Sequence, residues 1–243
     1  MTAPFLSIII PAYNEEQRLP HTFETLFAFL ETQPYQTEVL LVENGSQDRT
    51  YEIASAFAQD HPQLQVIKNE ERGKGLAVQR GMLAATGKYR FMCDADFSMP
   101  PSEIPRFLPP VLDGYDIAIA SREAPGAVRY CEPHHRHFIG RGFNTLIRLL
   151  ALPGLHDTQC GFKCFSAQAA ETLFKRQTLV GWSFDVEILF IARKLGYKVI
   201  EIPIPWYFNP ESKIRVIKDS VQMGLDLLTI RMNAYRGVYD SEN

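Results

Sequence analysis

The 243-residue sequence predicts an α/β protein with a mostly parallel sheet flanked by helices on both faces. Short apolar runs alternate with stretches of helical periodicity through the first half. Each run is apolar along its length, as strands buried on both faces require. Most of the runs close on Pro, Asn, Gly or Asp, residues that favour turns. In such sheets ligands bind beyond the carboxyl ends of the strands, so the residues after each run carry the functional argument.

The elements follow in order. Phe5 to Ile10 is a first strand, stopped by Pro11. Glu16 to Leu30 places Leu19, Phe23, Leu26, Phe27 and Leu30 at helical spacing. Glu38 to Val42 is a second strand, ending near the turn Asn44-Gly45-Ser46. Asp48 to Gln59 is a second helix, with Ile53, Ala54 and Phe57 on one side. Leu64 to Ile67 is a third strand, and Gly75 to Ala85 a helix closed by Gly87. Tyr89 to Cys93 is a fourth strand. A helix near Ser102 to Leu112 leads to a fifth strand, Ile117 to Ala120. No linker or repeat interrupts the chain. We expect one domain, 1–243, in two halves, 1–125 and 126–243, the second decorating the sheet edge.

Composition narrows the function. Lys and Arg total 25 and Asp and Glu 28, a net charge of −3, which argues against nucleic acid as a partner. Four cysteines in a chain of this length do not form a disulfide framework. Met1 to Ser7 lacks the pattern of a signal peptide, and no apolar run reaches the roughly 20 residues that span a bilayer. The expected location is cytoplasmic, or peripheral on the cytoplasmic face of a membrane.

Pro11-Ala12-Tyr13-Asn14-Glu15 follows the first strand. It is not a G-x-G-x-x-G turn, which argues against NAD or FAD bound in the Rossmann manner. Tyr13 can stack on a base and Glu15 can accept from base or ribose, although a turn and helix start explain both equally. Glu43 ends the second strand, where an acid can bind ribose or a base edge. Arg72-Gly73-Lys74-Gly75 is not a Walker A loop. Lys74 can contact phosphate or ribose there, or the segment is a flexible solvated turn. The sharpest signal is Asp94-Ala95-Asp96 after the fourth strand. Two carboxylates one residue apart repel unless a cation neutralises them, and oxygen donors suit Mg²⁺ or Mn²⁺. His134, His135 and His137 and the pair Cys160 and Cys164 lack zinc spacing, so no zinc is expected.

These four motifs, in this order at strand ends, resemble the GT-A fold glycosyltransferases of family 2. Further along, Ser121-Arg122, Asp157 to Lys163, Gly181 to Glu187 and Ile202 to Trp206 resemble the polyprenyl-phosphate glycosyltransferases, of the dolichyl-phosphate glucosyltransferase and mannose synthase kinds. The resemblance implies that Pro11, Ala12, Tyr13 and Glu15 line a nucleotide pocket, with Glu43 on base or ribose. It implies that Asp94, with Ala95, and Asp96 hold the nucleotide and its metal, and that Arg122 and Lys163 meet phosphate charge. The donor is then a nucleotide sugar, UDP-glucose favoured and GDP-mannose the alternative, and the acceptor a polyprenyl phosphate. Ser98 stands where some mannose synthases carry Gln, which favours the glucosyl branch.

Such a reaction inverts the anomeric centre by direct displacement. A phosphate monoester has a second pKa of about 6 and needs no strong base, only cations to place two anions. Arg122, Lys163, Lys213 and Arg215 are candidates. A sugar-hydroxyl acceptor would need a base, for which Asp157, Asp185 and Glu187 are available. A non-catalytic binder of nucleotide sugar or lipid phosphate, and a phosphatase using Asp94-Ala95-Asp96-Phe97-Ser98, are the other classes. Finally, 137–150 reads as an amphipathic helix, with Ile139, Phe143, Leu146, Ile147 and Leu150 opposite His137, Arg141 and Arg148. It can lie on a membrane or pack on the sheet. A membrane-anchored partner is the other route to a lipid acceptor.

Overall fold

The computed structural model describes residues 3–131, 133, 142, 144–145, 147–148, 151–208 and 216–240. The early elements form where their patterns place them: β1 (Leu6–Ala12), α1 (Leu19–Glu31), β2 (Thr37–Asn44), α2 (Thr50–Asp60), β3 (Leu64–Asn69), α3 (Lys74–Ala84), β4 (Tyr89–Cys93) and β5 (Ile117–Ser121). The expected helix over Ser102 to Leu112 is corrected to a 3-10 helix, Pro101–Phe107. Pro105, Pro109 and Pro110 each lack the N–H that an α-helix would use there.

The second half contributes β6 (Val128–Tyr130), β7 (Phe162–Ser166), α4 (Ala167–Phe174), α5 (Phe184–Lys194), β8 (Val199–Pro203), β9 (Pro205–Tyr207) and α6 (Val216–Tyr235). The main sheet runs β3-β2-β1-β4-β7-β5-β8, and a two-stranded ribbon pairs β6 with β9. All main-sheet pairings are parallel except those of β7, which runs antiparallel between β4 and β5. An antiparallel β7 brings its starting residues to the edge where the parallel strands end. Cys93 and Phe162 are partners in that register.

Alternate strand residues feed two cores. Ile8, Ile10, Val39 and Leu41 pack beneath α1 and α2, whereas Ile9, Leu40 and Val42 pack against α3. This accounts for the uninterrupted apolar runs in the sequence. Beneath the carboxyl edge, Phe91, Phe107 and Phe162 meet edge to face at centroid distances of 4.6 to 5.6 Å and are buried. The three rings join β4, β7 and the 3-10 helix.

Most of the expected helix 137–150 lies outside the described residues. Within it, Ile147 is fully buried in the α3-side core and Arg148 is exposed. Ile147, one residue of the apolar side, packs on protein.

Phe91→Ala is expected to cost about 3–5 kcal/mol of unfolding free energy, because it removes the ring common to two of the aromatic contacts and leaves a cavity. Urea unfolding followed by circular dichroism measures this.

Candidate active site

The carboxyl ends of β2, β1 and β4 lie side by side, and β5 ends at the same edge. That topology gathers motifs far apart in sequence. The loops after β1 and β2 are laced together. Ser46 Oγ accepts from Asn14 N at 3.0 Å, Thr50 Oγ1 from Glu15 N at 2.7 Å, and Asn14 Oδ1 from Gln47 N at 2.8 Å. Asn14 adopts φ 51°, a left-handed conformation that Asn tolerates.

The residues expected to meet a nucleoside lie at this edge or just beneath it. Tyr13 is partly exposed, with the Arg72 guanidinium over its ring at 4.7 Å and hydrogen-bonded to its hydroxyl. Glu15 pairs with Arg18 at 3.2 Å. The other expected residues also take part in the local scaffold. Pro11 and Ala12 end β1 itself, and the Ala12 side chain packs into the core. Glu43 is buried and accepts from Ser46 N, closing its own turn. Ala95 is buried, and its carbonyl accepts from Thr22 Oγ1 at 2.7 Å. Arg72, absent from the expected set, is brought to Tyr13 by both contacts.

Asp94, Ala95 and Asp96 leave β4 in a turn closed by Phe97 N donating to Asp94 O at 3.3 Å, with Phe97 at φ 40°. Asp94 lies against Gly161, where an added Cβ would stand 2.0 Å from Asp94 Oδ2. The missing side chain at 161 leaves room for the Asp94 carboxylate. Asp94 Oδ1 is paired with Lys74 Nζ at 2.6 Å. The Lys74 side chain is only 16% exposed and lies 5.3 Å from the Trp182 ring centroid. The reading of Arg72 to Gly75 as a solvated turn therefore fails at Lys74. Burial opposes its charge, but Asp94 and Asp185 outweigh that and hold the ammonium above its ordinary range.

Asp96 is different. Its Oδ1 accepts from Ser98 N at 3.1 Å, and it has no ion pair among the described residues. Burial and the charge of Asp94 push its carboxyl above the ordinary range. No cluster of three His, Cys, Asp or Glu exists among the described residues. Two carboxylates with oxygen donors, one still carrying uncompensated charge, fit a hard divalent ion that draws its other ligands from phosphate and water.

The remaining charges are matched in pairs. Asp157 is fully buried and takes Arg122 through N, Nε and Nη2 at 3.0, 2.6 and 3.0 Å. Burial would raise this carboxyl, but the Arg122 charge and hydrogen bonds lower it to about 2. Lys163 is 1% exposed and bonds Asp185 Oδ1 at 2.6 Å and Cys160 O at 2.5 Å. Glu187 is fully buried, accepting from Thr178 N, Leu179 N and Tyr239 Oη at 3.0, 2.8 and 2.8 Å. Arg122 and Lys163, expected to meet phosphate, are thus committed to carboxylates. Asp157 is held low by Arg122, whereas burial raises the Asp185 carboxyl against the pull of Lys163 and Lys74, and raises that of Glu187 against its hydrogen bonds. Lys213 and Arg215 lie outside the described residues, as do His134, His135 and His137. Glu201 was not singled out in the sequence. It accepts from His156 N and Asp157 N at 2.9 Å each and so places Asp157.

The sequence model described as Glycosyl transferase family 2 matches residues 7–174. The chain is 36% identical over 242 residues to a dolichyl-phosphate beta-glucosyltransferase of Drosophila melanogaster, covering 93% of this chain and 74% of that protein. It is 32% identical over 254 residues to the Homo sapiens protein of that name, covering 98% and 78%. Among solved structures, glucosyl-3-phosphoglycerate synthase from Mycobacterium tuberculosis, in complex with Mn²⁺, UDP-glucose and phosphoglyceric acid, superposes with a TM-score of 0.72. That match has 17% identity and covers 93% of this chain and 79% of the other. The shared architecture is the GT-A fold.

The Arg122–Asp157 pair sets an acid limit on stability. The Asp157 carboxyl sits at about 2 in the folded chain against an ordinary 3.8. Its stabilisation is complete above pH 4 and is lost as pH falls towards 2, worth about 2 kcal/mol. Urea unfolding from pH 5 to 2 should show this loss in the wild type, and Arg122→Met should flatten it.

Proposed function

This chain belongs to glycosyl transferase family 2, and within that family we propose that it transfers glucose from UDP-glucose to dolichyl phosphate or another polyprenyl phosphate. It is a glycosyltransferase. The observation that carries the choice of acceptor is the state of the buried acids. Asp157, Asp185 and Glu187 are each held by a cation or by several donors. A sugar hydroxyl would need one of them free as a base. A phosphate monoester, mostly dianionic at neutral pH, attacks without one.

The residues divide the work as follows. Tyr13 and Arg72 offer a ring and a guanidinium plane to the base. Asp94 and Asp96 would hold a divalent ion, Mg²⁺ or Mn²⁺, on the diphosphate. Such an ion, when bound, offsets the charge that gathers on the departing diphosphate. Lys74 adds protein-borne positive charge at the same edge. The phosphate oxygen forms a bond to the anomeric carbon as the bond to the nucleoside diphosphate breaks, and the centre inverts. Arg122 and Lys163 act as scaffold, fixing the loops that frame this edge.

The acceptor places the reaction beside a lipid surface, and α6 supports peripheral contact with one. Val221, Leu225, Leu228, Met232 and Tyr235 are exposed at spacings of four and three, which places them on one face. Leu227 and Ile230 are buried in the core. Arg231 and Arg236 are exposed, whereas Asp226, the one acid between 221 and 236, accepts from Ser183 Oγ at 2.5 Å. Apolar residues accompanied by basic ones suit an anionic membrane interface. No helix among the described residues is long and apolar enough to cross a membrane. All four cysteines are free thiols.

Two measurements test this reading. With radiolabelled UDP-glucose, dolichyl phosphate and Mg²⁺ or Mn²⁺, the label should move into the lipid fraction, and Asp96→Asn should lower the rate at least a hundredfold. Absence of transfer by the folded wild type to any polyprenyl phosphate would defeat it. In flotation with phosphatidylserine vesicles, Leu225→Glu with Leu228→Glu should lower the bound fraction several-fold at unchanged thermal midpoint. Equal flotation of both proteins would remove α6 from the lipid contact.

A further inference from the structure

Lys74 is held in place by contacts from two sides. Its neighbours Gly73 and Gly75 are pressed against the 179–184 segment. A Cβ on Gly73 would stand 2.5 Å from Val180 O, and one on Gly75 would stand 2.7 Å from Phe184 Cβ and 2.8 Å from Leu179 O. Leu76 N donates to Val180 O at 3.2 Å, and Gln177 Nε2 to Gly75 O at 2.9 Å. The segment is secured from beneath by Glu187, which accepts from Thr178 N and Leu179 N. Gly73 N is tied to Asn44 Oδ1 at 2.9 Å, at the end of β2. The backbone of residue 74 is therefore fixed on two sides, and its ammonium is delivered to Asp94 at 2.6 Å.

The two partners differ in freedom. The Asp94 carboxylate, on a short side chain leaving β4 in a closed turn, fills the space that a Cβ on Gly161 would take. Lys74 carries its charge on a flexible four-carbon stem, so the ammonium is the partner able to move. An ammonium and a divalent ion repel, and they compete for the same carboxylate.

We propose that Lys74 is an internal counter-cation that couples metal binding to nucleotide binding. With no donor bound, it neutralises Asp94 and leaves Asp96 alone to attract a divalent ion. An arriving diphosphate offers the ammonium a second anion and draws it from Asp94. Asp94 then joins Asp96 as a ligand. This rests on the reading that Asp94 and Asp96 hold the ion of a nucleotide sugar. The coupling is reciprocal: the ion must raise nucleotide affinity by the factor by which nucleotide raises ion affinity.

Binding of Mn²⁺ to the full chain, measured by electron paramagnetic resonance of the free ion with and without UDP, tests this directly. In the wild type, UDP should tighten Mn²⁺ at least tenfold. Lys74→Gln should bind Mn²⁺ at least threefold more tightly than the wild type without UDP, and should gain less on adding it. Lys74→Arg should keep the wild-type pattern. Asp94→Asn provides an independent reading. It should leave Mn²⁺ affinity without UDP within twofold of wild type and lower it at least tenfold with UDP. The inference is overturned if Lys74→Gln leaves the UDP-free affinity and the coupling unchanged, or if Asp94→Asn weakens both states equally. If the wild type binds neither Mn²⁺ nor UDP, the underlying reading of the site falls, and this inference with it.

Discussion

Two carboxylates one residue apart at the mouth of β4 are the constraint on which the rest of this site depends. In a partly buried setting such charges repel strongly, and the surrounding structure answers each differently. Asp94 is pressed against Gly161 and matched by Lys74. Asp96 has one backbone N–H from Ser98 and no ion pair among the described residues. That asymmetry makes the pair more than two acids on a loop. One is satisfied within the protein, and the other is suited to a cation that arrives with the substrate.

The other charges at this edge serve the scaffold. Lys163–Asp185 and Arg122–Asp157 are buried or nearly so, and removing one partner of such a pair leaves an uncompensated charge. Their value lies in position. Lys163 also accepts the task of holding the Cys160 carbonyl, in the residue before the critical Gly161. Glu201 clamps the backbone at 156 and 157, Asp157 then takes Arg122, and the Arg122 guanidinium lies 5.4 Å from the Trp206 ring centroid. Farther along, Tyr207 N donates to Ser98 O at 2.8 Å, so the small β6–β9 ribbon is bonded to the loop that carries Asp96. The acid motif is thus braced from α1, β7 and the ribbon at once.

Much of this was legible in the residues. The apolar runs located β1 to β5 within a few positions, because a strand buried on both faces must be apolar throughout. The Asp94-Ala95-Asp96 motif was found by its charge, and the order of the motifs pointed to the family. The segment Ser102 to Leu112 departs from an α-helix because Pro105, Pro109 and Pro110 withhold N–H groups that such a helix would use. β7 escaped notice since its five residues carry Lys163, an unlikely occupant of a central strand until Asp185 is seen beside it.

Sequence alone determined the alternation of strands and helices, the acids at the end of β4 and the glycosyltransferase resemblance, because these rest on local periodicity and residue type. Tertiary structure alone decided which charges are spent and which remain. Arg122, Lys163, Asp157, Asp185 and Glu187 looked like free chemical groups in one dimension. Folding supplies each with a partner from 9 to 52 residues away. Charge compensation depends on distance in space, and no pattern along the chain records it.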